Sequence, residues 1–260
     1  STDDGEKLLV SGYWDGQDEA RHVASRIEGK LKEGFDLNQI AVLVRAGFQT
    51  REFEERFLSI GLPYRVVGAR FYERAEIRDA IAYLRLINQP ADDLAFERII
   101  NTPKRGLGPA TLQVIHQLAR ARNIPLLAAA GVLAESDELK PQARRTLIAF
   151  CNQIAGWCKQ KDTTFPAEFA RVVLDDSGYT EMWQKNKAPD APGRLENLKE
   201  LVSAIEDFDT LGGFLEHISL VMDNETAPQE GEVTLMTLHA AKGLEFDMVF
   251  LPGWEDGIFP

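Results

Sequence analysis

Residues Thr234–Gly253 read TLMTLHAAKGLEFDMVFLPG, two apolar runs of strand length joined by a segment holding His239, Lys242 and Gly243. So few residues cannot bury a core alone, so these strands must join a sheet begun elsewhere in the chain. The first ninety residues predict that sheet. EKLLVSGYW (6–14) reads as a strand, and DGQDEARHVASRIEGKLKEG (15–34) as an amphipathic helix with Ala20, Val23, Ala24, Ile27 and Leu31 on one face and Gly34 at its end. IAVLVR (40–45) is a continuous apolar run, the pattern of a strand buried on both faces. A helix, QTREFEERFLSIG (49–61), and a strand, YRVVG (64–68), follow. Strands alternating with helices predict an α/β unit with a largely parallel sheet.

From Arg74 the strand pattern stops. RAEIRDAIAYLRLINQ (74–89) reads as a helix halted by Pro90, and DDLAFERIIN (92–101) as a short helix before Pro103. PATLQVIHQLARARN (109–123) begins with proline in its first turn, where a missing N–H costs nothing. Further helices are expected over about 141–160, 166–175, 193–208 and 210–222, with polar loops QKNKAPDAPG (184–193) and DNETAPQEGE (223–232). The economical organisation is one α/β domain, 1–92 with 230–260, interrupted by an all-helical insertion over 93–229.

The formal net charge of −12 opposes non-specific coating of nucleic acid. Within that acidic chain, residues 98–122 carry Arg98, Lys104, Arg105, Arg120 and Arg122 and no acidic residue, a local basic footprint. No apolar run approaches the length that spans a bilayer, and the N-terminus lacks the features of a signal peptide. Cys151 and Cys158 are seven residues apart; on one helix, at about 1.5 Å per residue, their Cα atoms lie roughly 10 Å apart, too far for a disulfide. A reducing, cytoplasmic location is the expectation. Neither the cysteines nor His22, His116 and His217 have metal-ligand spacing, so no zinc site is expected.

Three features carry candidate chemistry. In open α/β sheets ligands bind beyond the carboxyl ends of the strands, so Thr237 and His239, ending VTLMT, and a helix start at AAKG would lie where phosphates bind. Read alone, an ordinary capped turn fits this stretch better than a ligand site. Second, NTPKRGLGPATL (101–112) has a helix-hairpin-helix pattern. The N–H groups of Gly106, Gly108 and the following helix start can converge on a phosphate oxygen, with charge from Lys104 and Arg105 and a hydroxyl from Thr111. An αα-turn with a solvated Lys-Arg pair is the plain alternative. Third, Arg70, Phe71, Tyr72 and Arg74 follow a strand. They would either stack on the bases of a single strand or pack the next helix onto the sheet; Arg70 is the stronger candidate for a DNA contact.

The ordered string VTLMTLHAAKGLEFDMVFLPGWEDGIFP (233–260) resembles motif V of superfamily 1 DNA helicases of the UvrD/PcrA/Rep type. Most of 38–115 resembles the same family's passage from its second RecA-like domain into the inserted helical domain, in the same order, while 116–231 matches loosely. The resemblance implies a partial RecA-like domain, truncated at its C-terminus, with the helical insertion inside it. It implies that Thr237 and His239 contact single-stranded DNA, that Glu245 bonds the ribose of ATP with Gly243 close by, and that Lys104, Arg105, Gly106, Gly108 and Thr111 meet duplex DNA. Lys242 has no clear role. An ATP-dependent 3′-to-5′ DNA helicase or translocase of repair or replication is implied for the parent protein, with ATP and Mg²⁺ as cofactors, a DNA junction as substrate and a first RecA-like domain as partner.

These 260 residues contain no G-x-x-x-x-G-K-[ST] loop, no strand ending in an acidic pair and no arginine-bearing helix after GIFP. Because phosphoryl transfer depends on positioning and charge neutralisation, the chain alone is expected to be inactive, with Mg²⁺ held elsewhere. The alternative is a non-catalytic module that binds DNA or a protein and has a degenerate ATP edge.

Overall fold

The computed structural model describes residues 7–223 and 231–259. It has the expected α/β class: a small parallel sheet with two helices, interrupted in sequence by a helical unit. The elements of the first part are α1 (Gly16–Lys32), β1 (Ile40–Val44), α2 (Thr50–Ile60) and β2 (Tyr64–Val66). The helical part holds α3 (Ala75–Asn88), α4 (Asp93–Ile99), α5 (Pro109–Arg122), α6 (Leu126–Glu135), α7 (Pro141–Gln160), α8 (Pro166–Asp176), α9 (Tyr179–Lys185), α10 (Ala191–Ile205) and α11 (Leu211–Asp223). β3 (Val233–Thr237) and β4 (Met248–Phe250) complete the sheet.

The strand order is β2-β3-β1-β4, and every pairing is parallel. Chain returning after the insertion therefore supplies both neighbours of β1. Val42 pairs with Leu235 on one side and Phe250 on the other, which is why IAVLV is apolar throughout. Asp15 starts α1 by accepting from the Asp18 N–H at 2.7 Å, and the face Ala20, Val23, Ala24 and Ile27 is buried against the sheet core. Phe53 and Phe57 of α2 enter the same core beside Tyr64.

The compact units divide as Ser1–Arg70 with Glu225–Pro260, and Phe71–Asn224. The sequence reading drew the line after 92, but α3 packs on α4, α7, α8, α10 and α11. It buries Ile77, Ala80, Ile81, Tyr83, Leu84, Leu86 and Ile87 there, apolar surface on too many sides for one sheet face.

Other local expectations change. Residues 7–14 form no strand: Leu8 and Trp14 are 94% and 97% exposed, and extended chain without a neighbouring strand leaves its backbone groups to water. Residues 238–243 form turns where a helix start was expected. α6 and α9 were not foreseen; LLAAAGVLAE lacks the polar face that makes a 3.6-residue period visible. Most of the expected loop at 223–232 lies outside the described residues.

Candidate functional site

The first site lies on the sheet unit and is built by the end of β3. Thr237 is its last residue, opposite Val44, and the Leu238 N–H still donates to the Val44 carbonyl at 2.9 Å. The chain then turns sharply: the Thr237 carbonyl accepts from Ala240 N–H at 2.9 Å and Ala241 N–H at 3.2 Å, and Leu244 N–H reaches the Ala241 carbonyl at 3.0 Å. His239 is exposed on this turn, and Thr237, at the end of the strand, is half-buried.

Register determines where the rest of the connector goes. β4 starts with Met248 opposite Ile40, at the amino end of β1, whereas β3 ends opposite Val44. Residues 238–247 must therefore return from the carboxyl edge of the sheet to its opposite edge. Gly243, at φ +86° and exposed with open space around it, lies in the last of these turns. Glu245 is exposed on the returning limb, three residues before β4. The parallel topology thus puts Thr237 and Glu245 toward opposite ends of one connector.

The carboxyl edge also presents a cation that the sequence reading passed over. Arg45, the residue after β1, is exposed, and its backbone N–H is held by the Gln49 side chain. Gln49 Oε1 accepts from Arg45 N–H at 3.1 Å and from Ala46 N–H at 2.9 Å. The available signal was its place as the first polar residue after an apolar central strand. Arg70, beyond β2, sits with its guanidinium 5.6 Å from the centre of the Tyr64 ring. Phe71 and Tyr72 are buried and packed edge to face at 5.1 Å, so neither offers a ring face to a base.

Glu19 closes the edge from α1, accepting from the Gly253 N–H at 3.1 and 3.3 Å. Burial raises the pKa of its carboxyl group, the Gly253 N–H opposes this, and nearby Glu255 raises it further.

The second site lies in the helical unit, in the loop between α4 and α5. Gly106 is at φ +74°, a left-handed conformation that an L side chain resists, and it is exposed. Leu107 is buried and anchors the loop. Asn101 closes its neck: its amide donates to the Leu107 carbonyl, and its Oδ1 accepts from the Arg105 and Leu107 N–H groups at 3.3 Å. Gly108 caps α5, its carbonyl accepting from Thr111 and Leu112 N–H at 3.0 and 3.3 Å, with Pro109 in the first turn. Lys104 is exposed and has no ion-pair partner among the described residues.

Arg105 behaves differently from Lys104. Its Nη1 donates to the carbonyls of Ile99 (2.7 Å), Ile100 (3.2 Å) and Pro103 (3.3 Å), and its Nη2 to the Tyr83 hydroxyl at 2.5 Å. That hydroxyl donates onward to the Thr102 carbonyl. Burial raises the pKa of the Tyr83 hydroxyl, only partly offset by Arg105, which keeps it a donor. Sequence spacing put Lys104 and Arg105 together as one basic pair; the fold turns one outward and the other under the loop.

Among the described residues no group of three or more His, Cys, Asp or Glu could hold a metal ion, and no helix is long and apolar enough to cross a membrane. The model of the UvrD-like helicase C-terminal domain family matches residues 1–260. A probable DNA helicase II homolog of Rickettsia conorii is 47% identical over 99% of this chain, which covers 40% of that relative. DNA helicase II of Escherichia coli K12 is 39% identical over 99% of the chain and 37% of its own length. The ATP-dependent DNA helicase PcrA of Staphylococcus epidermidis is 36% identical over 98% of the chain and 36% of its own length. The chain thus spans about 40% of the length of such curated relatives. The match along the whole chain, on a parallel sheet interrupted by helices, shows that it belongs to the UvrD-like helicase C-terminal domain family.

Proposed function

We propose that this chain is the part of an ATP-dependent DNA helicase that links nucleotide to DNA, working 3′ to 5′ on a junction of single strand and duplex. The observation that carries the reading is the connector 238–247. It has Thr237 and His239 at one end and Gly243 and Glu245 along its return, and it spans the sheet from edge to edge.

The residues present fit one side of a nucleotide. Glu245 is an exposed acceptor for ribose hydroxyls, and the space beside Gly243 is open. Bound ATP supplies the free energy of phosphoryl transfer. The metal that accompanies it is taken to be held outside this chain, by a first RecA-like domain, as is the phosphate loop. Arg45, Thr237, His239 and Arg70 would hold the phosphates of the strand at the carboxyl edge, where a cation, a hydroxyl and an imidazole suit anions without reading sequence. A shift at Glu245 would be felt at Thr237 because the turn is tied to β3 by the two hydrogen bonds to the Thr237 carbonyl. In the helical unit, Lys104, Gly106, Gly108 and Thr111 would grip one duplex phosphate at the start of α5. Free thiols at Cys151 and Cys158 suit a cytoplasmic protein.

The test is Glu245→Ala in the whole helicase. Its nucleotide KM should rise by roughly ten-fold, the loss of about 1.4 kcal/mol for charge-assisted hydrogen bonds, with single-strand affinity unchanged. An unchanged KM removes the ribose role. The 260-residue chain alone should show no DNA-stimulated ATP turnover; turnover that copurifies with it would overturn the division of labour proposed here.

A further inference from the structure

We propose that Arg105 is a positioning residue: its guanidinium holds the α4–α5 loop in the shape that presents Lys104 and the Gly106–Gly108 backbone, and does not itself meet a phosphate. The inference rests on the duplex-binding reading of that loop and assigns this arginine a role other than the phosphate contact its place in the motif suggests.

The contacts of Arg105 support it. Nη1 collects the Ile99 and Ile100 carbonyls at the end of α4, the first of which also accepts from the Thr102 N–H at 3.0 Å, together with Pro103 within the loop. A cation there also meets the negative end of the helix. Nη2 is bound to Tyr83 of α3, whose hydroxyl donates to Thr102. The guanidinium carbon Cζ lies 5.1 Å from the Phe150 ring centre and 5.9 Å from that of Tyr83. The Arg105 N–H meets Asn101 Oδ1, the acceptor that closes the loop's neck. One side chain therefore joins α3, the end of α4 and the loop, while Lys104, next in sequence, remains exposed. A guanidinium whose donors face carbonyls and a phenol is poorly placed to add a duplex phosphate. A lysine could not replace it, because a single ammonium cannot present the same planar fork.

The experiment compares Lys104→Ala, Arg105→Gln, Arg105→Lys and Tyr83→Phe in the 260-residue chain. Without DNA, amide hydrogen exchange over 101–111 should accelerate several-fold in Arg105→Gln and Arg105→Lys, to a lesser degree in Tyr83→Phe, and not in Lys104→Ala. Duplex affinity, read by fluorescence anisotropy over a salt series, should fall roughly ten-fold in Arg105→Gln with the slope of log K against log salt unchanged. In Lys104→Ala the slope should drop by about 0.9, one phosphate contact. A drop of that size in Arg105→Gln would place Arg105 on a phosphate and overturn the proposal. Unaltered loop exchange in both Arg105 variants would also overturn it. If Arg105→Gln does not fold, Tyr83→Phe decides, and unaltered exchange and affinity there count against the proposal. Wild-type chain with no duplex affinity refutes the duplex reading alone, since loop exchange still reports on Arg105.

Discussion

Replacing Gly253 with alanine tests how the carboxyl edge of the sheet is held. Gly253 follows β4 at φ +71°, so a Cβ carries a left-handed penalty of about 1–2 kcal/mol. That Cβ would also run into the Gln49 side chain, with Cδ at 3.2 Å and the amide nitrogen closer. Gln49 is the residue whose Oε1 holds the N–H groups of Arg45 and Ala46. Displacing it loses two hydrogen bonds at about 1 kcal/mol each. Gly253→Ala should therefore cost about 3–4 kcal/mol. Gln49→Ala loses the same two bonds without the backbone strain and should cost about 2 kcal/mol. In the double variant the bonds are lost only once, so its cost should stay near 3–4 kcal/mol and leave a coupling of about 2 kcal/mol between the sites. The assay is native-state hydrogen exchange of the β1 amides, which reports opening of the sheet unit separately from the helical unit. Strict additivity of the two substitutions would refute the reasoning, because it would mean that the Cβ never meets Gln49.

Glu19 predicts a pH dependence whose sign follows from its raised pKa, caused first by burial and then by Glu255. The folded state binds this proton more readily than the unfolded chain, so its contribution is complete below the ordinary glutamate value and lost as pH rises through the raised one. Glu19→Gln keeps a carbonyl oxygen for the Gly253 N–H and should flatten that part of a stability–pH curve. A curve identical to wild type would refute the assignment. Burial pushes the Cys151 thiol up to about 11, so native chain at pH 8 should react with iodoacetamide at this thiol at least ten-fold more slowly than urea-unfolded chain, checked by mass spectrometry. Equal rates would show that the thiol is exposed.

Much of the fold was legible because local signals agreed with packing. The apolar face of α1, Pro109 opening α5 and the unbroken apolar run of β1 each carry a physical signature in a few residues. The signals failed where the deciding contact was distant in sequence. Leu8, Leu9 and Val10 have strand-forming composition, but no strand lies beside them. α3 looked like a helix for the sheet until its burial on several sides assigned it to the helical unit. At the site, Thr237 and His239 were readable as a strand end, and Arg45 carries a similar signal as the first polar residue after IAVLV, but only the pairing of Val44 with Thr237 sets the two strand ends side by side.

By itself the sequence determined the α/β class, the interruption by helices and the family, since hydrophobic period, turn residues and an ordered motif are written along the chain. Only the tertiary structure decided that β3, the strand after the insertion, pairs with β1 on one side while β4 pairs with β1 on the other, which turns 238–247 into a connector between opposite edges. It also decided that Arg105 and Lys104 part ways. Adjacent side chains share a sequence signal, but each points where the surrounding acceptors are, and those acceptors come from α3 and the end of α4.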